Sequence, residues 1–262
     1  MSNFPVIVSY SNNGYFQFAK CMLENLNATL EHHKVLFYCL DKEIYQKLSA
    51  INFKNIKVTF KLFTKNISSK LENYGSSQYN LITHTKMSVL KDALQKHEFI
   101  HFIDCDIICI QEPSIKHYQK YNKYDIVFQH DAGMYSASHL HAPTLHHIWT
   151  CTGNMSLRNT SGTYYLLDRL EEYQSKYKNK NDQECLMQYF EDNNIIDIRD
   201  VEKVKLFTYE IEQYTNGYWL NNNIGNLENT YFFHANHVSG AQAKWNLLNR
   251  ALPYVKKKFE NQ

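Results

Sequence analysis

The chain has 262 residues, 44% hydrophobic and 21% charged, with a formal net charge of +2. That composition excludes disorder, collagen and coiled coil, and supplies enough apolar surface for a sizeable core in one large α/β domain or two small ones. The near-neutral charge argues against a protein built around nucleic acid, which needs a strongly basic face.

Residues 6–10 (VIVSY) read as a buried strand, closed by the break Ser11-Asn12-Asn13-Gly14. From Tyr15 the pattern turns helical, with Phe18, Met22, Leu26 and Leu30 at four-residue steps. Residues 35–40 (VLFYCL) form a second strand, with Asp41 as N-cap for a helix over EIYQKL. Residues 58–63 are a third strand. Residues 64–78 are polar and Ser/Asn-rich, which predicts a mobile loop. Residues 81–94 predict a helix with the stripe Ile82, Met87, Leu90 and Leu94. Residues 99–103 (FIHFI) predict a strand running into Asp104-Cys105-Asp106, then IICI and a break at Glu112-Pro113. Further strands are expected at 125–128, 150–157 and 195–198, and helices near 163–177, 182–191 and 242–254. Such alternation implies a mostly parallel sheet, with ligands beyond the carboxyl ends of its strands. No repeat, linker or compositional break divides the chain, so one domain is expected.

The six cysteines form no CxxC pair, and Cys105 and Cys109 lack partners at zinc-finger spacing, so reduced thiols are expected. The N-terminal residues do not read as a signal peptide, and no stretch approaches the roughly 18 apolar residues of a spanning helix. A soluble, cytoplasmic protein with no transmembrane segment is the expectation. Lys256, Lys257 and Lys258 read as a solvated tail.

Asp104 and Asp106 carry the most weight. A bare DxD arises by chance in a chain of this length, but this one lies between FIHFI and IICI. There, two carboxylates without partners would cost several kcal/mol. A bound divalent cation removes that cost, and carboxylate oxygens suit Mg²⁺ or Mn²⁺.

The run HFIDCDIICIQEP resembles the metal-binding DxD segment of GT-A glycosyltransferases. Nearly the whole chain resembles the nucleotide-diphospho-sugar transferases grouped with plant family 77, and more distantly the glycogenin-like family 8. VIVSYSNNGYFQF, VLFYCLDKEIYQKL, CTGNMSLRNT, NDQECL and FFHANHVSGAQAK match that pattern in order. The resemblance implies an α/β fold: a single GT-A (Rossmann-like) domain over 1–262, its mostly parallel central sheet covered by helices on both faces. Residues 1–110 or so would be its nucleotide-binding half, and about 111–262 its acceptor-binding half. It implies metal-dependent transfer of a sugar from a nucleotide-diphosphate sugar, UDP-linked by expectation, to a glycan, protein or small-molecule acceptor. Retention of configuration is favoured. The alternative is a non-catalytic nucleotide-sugar or carbohydrate-binding protein on a degenerate transferase scaffold.

By the same resemblance, Mn²⁺ or Mg²⁺ is the cofactor. Its ligands are Asp104, Asp106 and a late histidine, His234 by its place in HxN or His237 by its spacing to Gly240, with His234 preferred. Asp104 also faces the donor. Lys86, Lys244 and Gly240 belong at the diphosphate, where positive charge meets the leaving group. Tyr10, Asn12 and Tyr15 are placed for the base and ribose. Asp182 and Gln183 resemble the Asp-Gln pair beneath the anomeric carbon, and Asp131 or Asp182 would be the base if the reaction inverts. Asn154 stands where many relatives carry a bulky apolar residue, and is expected to present its amide to donor sugar or acceptor. His130, His139, His141, His146 and His147 read as acceptor contacts or surface histidines rather than a zinc site.

Overall fold

A computed structural model describes residues 4–64, 67–131, 149–223 and 227–259. The chain begins with β1 (Val6–Ser11), α1 (Phe16–Thr29), β2 (Lys34–Cys39), α2 (Lys42–Ser49) and β3 (Lys57–Leu62). α3 (Ser77–Leu94), β4 (Phe99–Ile103), β5 (Ile107–Cys109), α4 (Ile115–Gln119) and β6 (Ile126–His130) follow. The second half holds β7 (Thr150–Arg158), α5 (Ser161–Lys176), α6 (Asp182–Asp192) and β8 (Leu206–Thr208). β9 (Tyr214–Asn216), α7 (Gly217–Asn221), β10 (Phe232–His234) and α8 (Ala241–Ala251) complete it.

The main sheet has seven strands in the order β3-β2-β1-β4-β7-β6-β8, all running one way except β7. Successive side chains on a strand point to opposite faces. Hence Ile7, Val35 and Phe37 enter one core with α1 and α2, while Val8, Leu36 and Tyr38 enter another with α3, α5 and α6. The expected sheet with helices on both faces is therefore present. The helical stripe of α1 is buried as its spacing predicts, with Phe18, Met22 and Leu26 almost inaccessible. Each such side chain contributes about 1.5–3 kcal/mol by leaving water. Asp41 caps α2 as expected, accepting from Ile44 N at 3.0 Å. A small sheet, β5-β10-β9, packs on the α1 side.

Three expectations change. Residues 195–198 are not a strand: Asp197 accepts from Arg199 N at 2.9 Å and starts a 3-10 turn over Ile198–Asp200. That local bond competes with sheet pairing. The 64–78 segment, described except for 65 and 66, is a bonded strap, with Ser68 O and Lys70 O accepting from the Asn12 amide at 2.8 and 2.9 Å. The lysine tail is docked: Lys256 N donates to Ile110 O, Lys258 N to Ala28 O, and Lys258 Nζ to Glu112. No helix among the described residues is long and apolar enough to cross a membrane, and all six cysteines are free.

Glu112 is the hub of that docking. Its side chain is 3% exposed and accepts from Glu31 N, His32 N and Lys258 Nζ, with His33 Nδ1 at 2.8 Å. Burial alone would raise its pKa, but His33, Lys258 and the backbone donors hold it well below the usual carboxylate range. The unfolded chain therefore takes up that proton more readily than the native one. The stabilisation is present above the ordinary glutamate pKa and fades as pH falls toward the depressed native value. Glu112→Gln is expected to lower the unfolding free energy at neutral pH by about 1–3 kcal/mol. It should also flatten the acid limb of stability, both read from urea midpoints across pH.

Candidate active site

The parallel strands deliver their carboxyl ends to one edge of the sheet, and antiparallel β7 enters there. Asp104 follows β4, Asp131 follows β6, and Thr150–Gly153 open β7 between them. Asp104 N donates to Gly153 O at 2.8 Å, which fixes the turn that carries the acidic pair.

His234 reaches Asp106 through strand register. β10 pairs antiparallel with β5, His234 opposite Ile107, and Ala235 N donates to Asp106 O at 3.0 Å. His234 Nε2 then lies 3.2 Å from Asp106 Oδ1, and Lys244 Nζ lies 2.5 Å from Asp106 Oδ2. Burial opposes the charge on Asp106, but Lys244 and His234 outweigh it and hold the carboxyl far below its usual range. Asp104 is the open member, its side chain 34% exposed. Burial raises its pKa to about 6, with Lys86 opposing.

Asp104, Asp106 and His234 each offer a ligand atom, all within 4.8 Å of one another. Gly153 completes the cradle: a Cβ there would lie 2.5 Å from His234 Cε1 and 2.6 Å from Asp104 Oδ2. Two carboxylates and an imidazole suit Mn²⁺, or Mg²⁺ with less preference for the nitrogen. The charge balance agrees. Among the described residues, the cations paired with Asp104, Asp106, Asp131 and Asp182 are the ammonium groups of Lys86 and Lys244, with His234 and His237 beside them, so a divalent cation suits the charge of the site. His237 is not in this group. It lies beyond β10 with φ +56°, and its Nε2 pairs with Asp131 Oδ1 at 2.8 Å.

Lys86 rises from α3 into the acidic centre, almost wholly buried. Its Nζ is 2.6 Å from Asp182 Oδ2 and 3.4 Å from Asp104 Oδ1, donates to Thr152 O, and sits over the Phe102 ring. Burial disfavours its charge, yet Asp104 and Asp182 more than compensate and hold the ammonium above its ordinary range. Asp182 is the first residue of α6, and Asn181 and Glu184 form a capping box around it. Gln183 is tied to β7: its Oε1 accepts from Thr152 N at 2.7 Å and its Nε2 donates to Thr150 O.

At the other end, Tyr10 is a core ring stacked on Phe102, its hydroxyl donating to Thr83 O at 3.5 Å. Burial, then Asp182 and Asp104, hold its phenol above the usual range. Asn12 is buried and spends its amide on the strap, so it shapes this end from behind. Tyr15 donates to Glu72 O at 3.5 Å and is near enough to Lys244 and Asp106 to feel both. Gly240 caps α8, from which Lys244 projects.

Asn154 is a correction. It is fully buried, faces Ile103 across the β4–β7 ladder, and its Oδ1 lies 2.7 Å from His101 Nε2. Its carbonyl therefore serves the core beneath the sheet, where the whole side chain is buried. His130 is buried at the end of β6, while His139, His141, His146 and His147 lie outside the described residues. Sequence reasoning passed over Tyr79. It shares a face of α3 with Thr83 and Lys86 at helical spacing, and feels Asp182 and Asp104. That i, i+4, i+7 spacing to Lys86 was the available signal.

The fold is similar to glycosyltransferases of known structure. GlyE of Streptococcus pneumoniae gives a TM-score of 0.58 at 11% identity, over 95% of this chain and 61% of GlyE. The galactosyltransferase LgtC, in complex with donor and acceptor sugar analogs, gives 0.57 at 11% identity, over 98% of this chain and 97% of LgtC. A glycosyltransferase involved in glycosylation of the major capsid of PBCV-1 gives 0.53 at 10% identity, over 93% and 98%. The chain thus spans about three fifths of the length of GlyE. No curated protein sequence matches it. At these identities the likeness shows the fold, GT-A. The sequence profile of the nucleotide-diphospho-sugar transferases matches residues 30–248, and the chain belongs to that family.

Proposed function

We propose that this chain, as one domain, transfers a sugar from a UDP-linked donor to an acceptor hydroxyl with retention. The carrying observation is the cluster of Asp104, Asp106 and His234 backed by Gly153, with Lys86 and Lys244 beside it. In this reading the bond between C1 of the sugar and the diphosphate oxygen breaks, and the diphosphate leaves with the electron pair. The acceptor oxygen bonds to C1, and its proton passes to the departing phosphate. Asp104, Asp106 and His234 would hold Mn²⁺ or Mg²⁺, which when bound supplies a Lewis acid against the charge building on the diphosphate.

The other groups follow from their partners. Lys244 neutralises Asp106 and is the partly exposed cation that a diphosphate would recruit. Lys86 fixes Asp104 and Asp182 and adds positive charge between them. Asp182 is buried at the start of α6 and paired to Lys86 at 2.6 Å, a fixed position that favours a role beneath C1. Asp131 is the remaining candidate base for an inverting reaction, with His237 as its partner. Tyr10, Asn12 and Tyr15 mark the base and ribose end.

The test is release of free nucleotide from a panel of nucleotide sugars with Mn²⁺. Release from one donor supports the reading. Thermal stabilisation by UDP and Mn²⁺ without release supports the non-catalytic alternative, and absence of both overturns each. His234→Ala should weaken the metal-dependent stabilisation by UDP about 100-fold in affinity, whereas His237→Ala keeps it. The reverse pattern would move the ligand to His237.

A further inference from the structure

His234 has two ring nitrogens, and they face different partners. Nε2 lies 3.2 Å from Asp106 Oδ1, on the side where the two carboxylates would share an ion. Nδ1 lies 3.5 Å from Cys151 Sγ, within reach of a hydrogen bond to sulfur. Among the described residues, Cys151 is the hydrogen-bonding partner on that side of the ring. Cys151 is buried. Burial, and then Asp131, push its thiol well above the usual range, while the Gly153 N–H bonds to the same sulfur and works the other way.

Both sheets set this contact. Cys151 lies on β7 opposite Gln129 of β6, and the Gln129 amide donates to Tyr214 O and Thr215 O of β9 at 3.0 and 2.9 Å. β9 in turn pairs with β10, Asn216 opposite His234. The main sheet, which carries the sulfur, is thus bonded to the small sheet, which carries the imidazole. Gly153, two residues after Cys151, leaves the ring its space.

A histidine binds a metal through one nitrogen and is oriented through the other, whose N–H needs an acceptor. When Nε2 gives its lone pair to a cation, Nδ1 carries the ring proton, and the Cys151 sulfur is placed to accept it. When Nε2 instead carries the proton toward Asp106, the S–H can donate to Nδ1. A thiol is a weak donor and a weak acceptor at once, so it serves both states of the ring. A methyl group serves neither.

We propose that Cys151 is a positioning residue for the metal site, its sulfur accepting the Nδ1–H of His234 so that Nε2 is presented to the cation. This rests on the metal-dependent transferase reading above. The test is the Mn²⁺ affinity of the full chain with UDP, titrated by EPR, with the spin-echo modulation from isotope-labelled histidine reporting nitrogen bound to Mn²⁺. Wild type should show that nitrogen, and His234→Ala should lose it. Cys151→Val fills the space of the thiol without a hydrogen bond, and should weaken Mn²⁺ about tenfold, the low end for loss of an orienting partner. Cys151→Ser restores donor and acceptor in a smaller side chain, and should stay within about threefold of wild type. Should Cys151→Val fail to fold, Cys151→Ala makes the same comparison against Cys151→Ser. Wild-type affinity in Cys151→Val overturns the proposal, and so does a loss in Cys151→Ser equal to that in Cys151→Val, which would assign the sulfur to packing alone. Mn²⁺ bound to wild type without the histidine nitrogen overturns it as well. If wild type binds no Mn²⁺ in the presence of UDP, the transferase reading itself has failed. If it binds Mn²⁺ through His234 and the variants do not separate, only the role of Cys151 has.

Discussion

Asp106→Asn is expected to lower metal-dependent nucleotide release by about a thousandfold and to remove the stabilisation that UDP gains from Mn²⁺. The size follows from how many functions meet at one carboxylate. Asp106 lies 3.2 Å from His234 Nε2 and 2.5 Å from Lys244 Nζ, and these neighbours, Lys244 foremost, hold its carboxyl far below the usual range against its burial. The amide keeps the shape and removes the charge. A divalent ion then faces Asp104 and His234 alone, and Lys244 loses the anion that holds it near the diphosphate path. Lys244 is 24% exposed in its side chain, so its ammonium can return to water. The fold should therefore survive, with a thermal midpoint within several degrees of wild type. Turnover of the variant within tenfold of wild type at saturating Mn²⁺ would remove Asp106 from the proposed metal site.

How much of this was legible depended on whether the information was local. Strands β1, β2 and β4 are continuous apolar runs, and their burial on both faces follows from that. The acidic pair drew notice by its position after FIHFI, and the resemblance, through HxN, pointed to His234 ahead of His237 as the histidine that lies beside it. Strands β8 and β9 are three residues each and carry no periodicity of their own; Leu206–Thr208 is a strand only because β6 lies beside it. Asn154 was misread because TGNMSLR says nothing about which side of the ladder each residue takes. Pairing of Ile103 with Asn154 puts its amide on the His101 face. The strap failed for the opposite reason. Its composition is that of a loop, and its order comes from carbonyls at Ser68 and Lys70 that accept from Asn12, more than fifty residues away. Lys258 read as solvated for the same reason, since its partners are Glu31 and Glu112.

Gly153→Ala should be almost as damaging as loss of an acid, although it removes no charge and no hydrogen bond. Gly153 lies within β7 with an ordinary strand backbone, so alanine suits the chain locally and gains about 0.4–1 kcal/mol from a less flexible unfolded state. The methyl group has nowhere to go. It would lie 2.5 Å from His234 Cε1, 3.3 Å from His234 Nδ1 and 2.6 Å from Asp104 Oδ2, well inside the roughly 3.5–4.0 Å of favourable carbon contact. His234 is held on its far side by Asp106, and Asp104 by Lys86, so each can yield only by leaving the others. The expected result is a folded protein whose thermal midpoint without ligand is lowered by the roughly 1–3 kcal/mol of overpacking, no added stabilisation by UDP with Mn²⁺, and nucleotide release reduced about a hundredfold, the cost of a misplacement on the order of 1 Å in a catalytic group. Melting curves with and without Mn²⁺, paired with release assays on the same preparation, separate this from simple unfolding. A Gly153→Ala protein that melts normally and keeps its metal-dependent stabilisation would mean that Asp104 and His234 do not act on one ion, because no arrangement in which both do leaves room for that carbon.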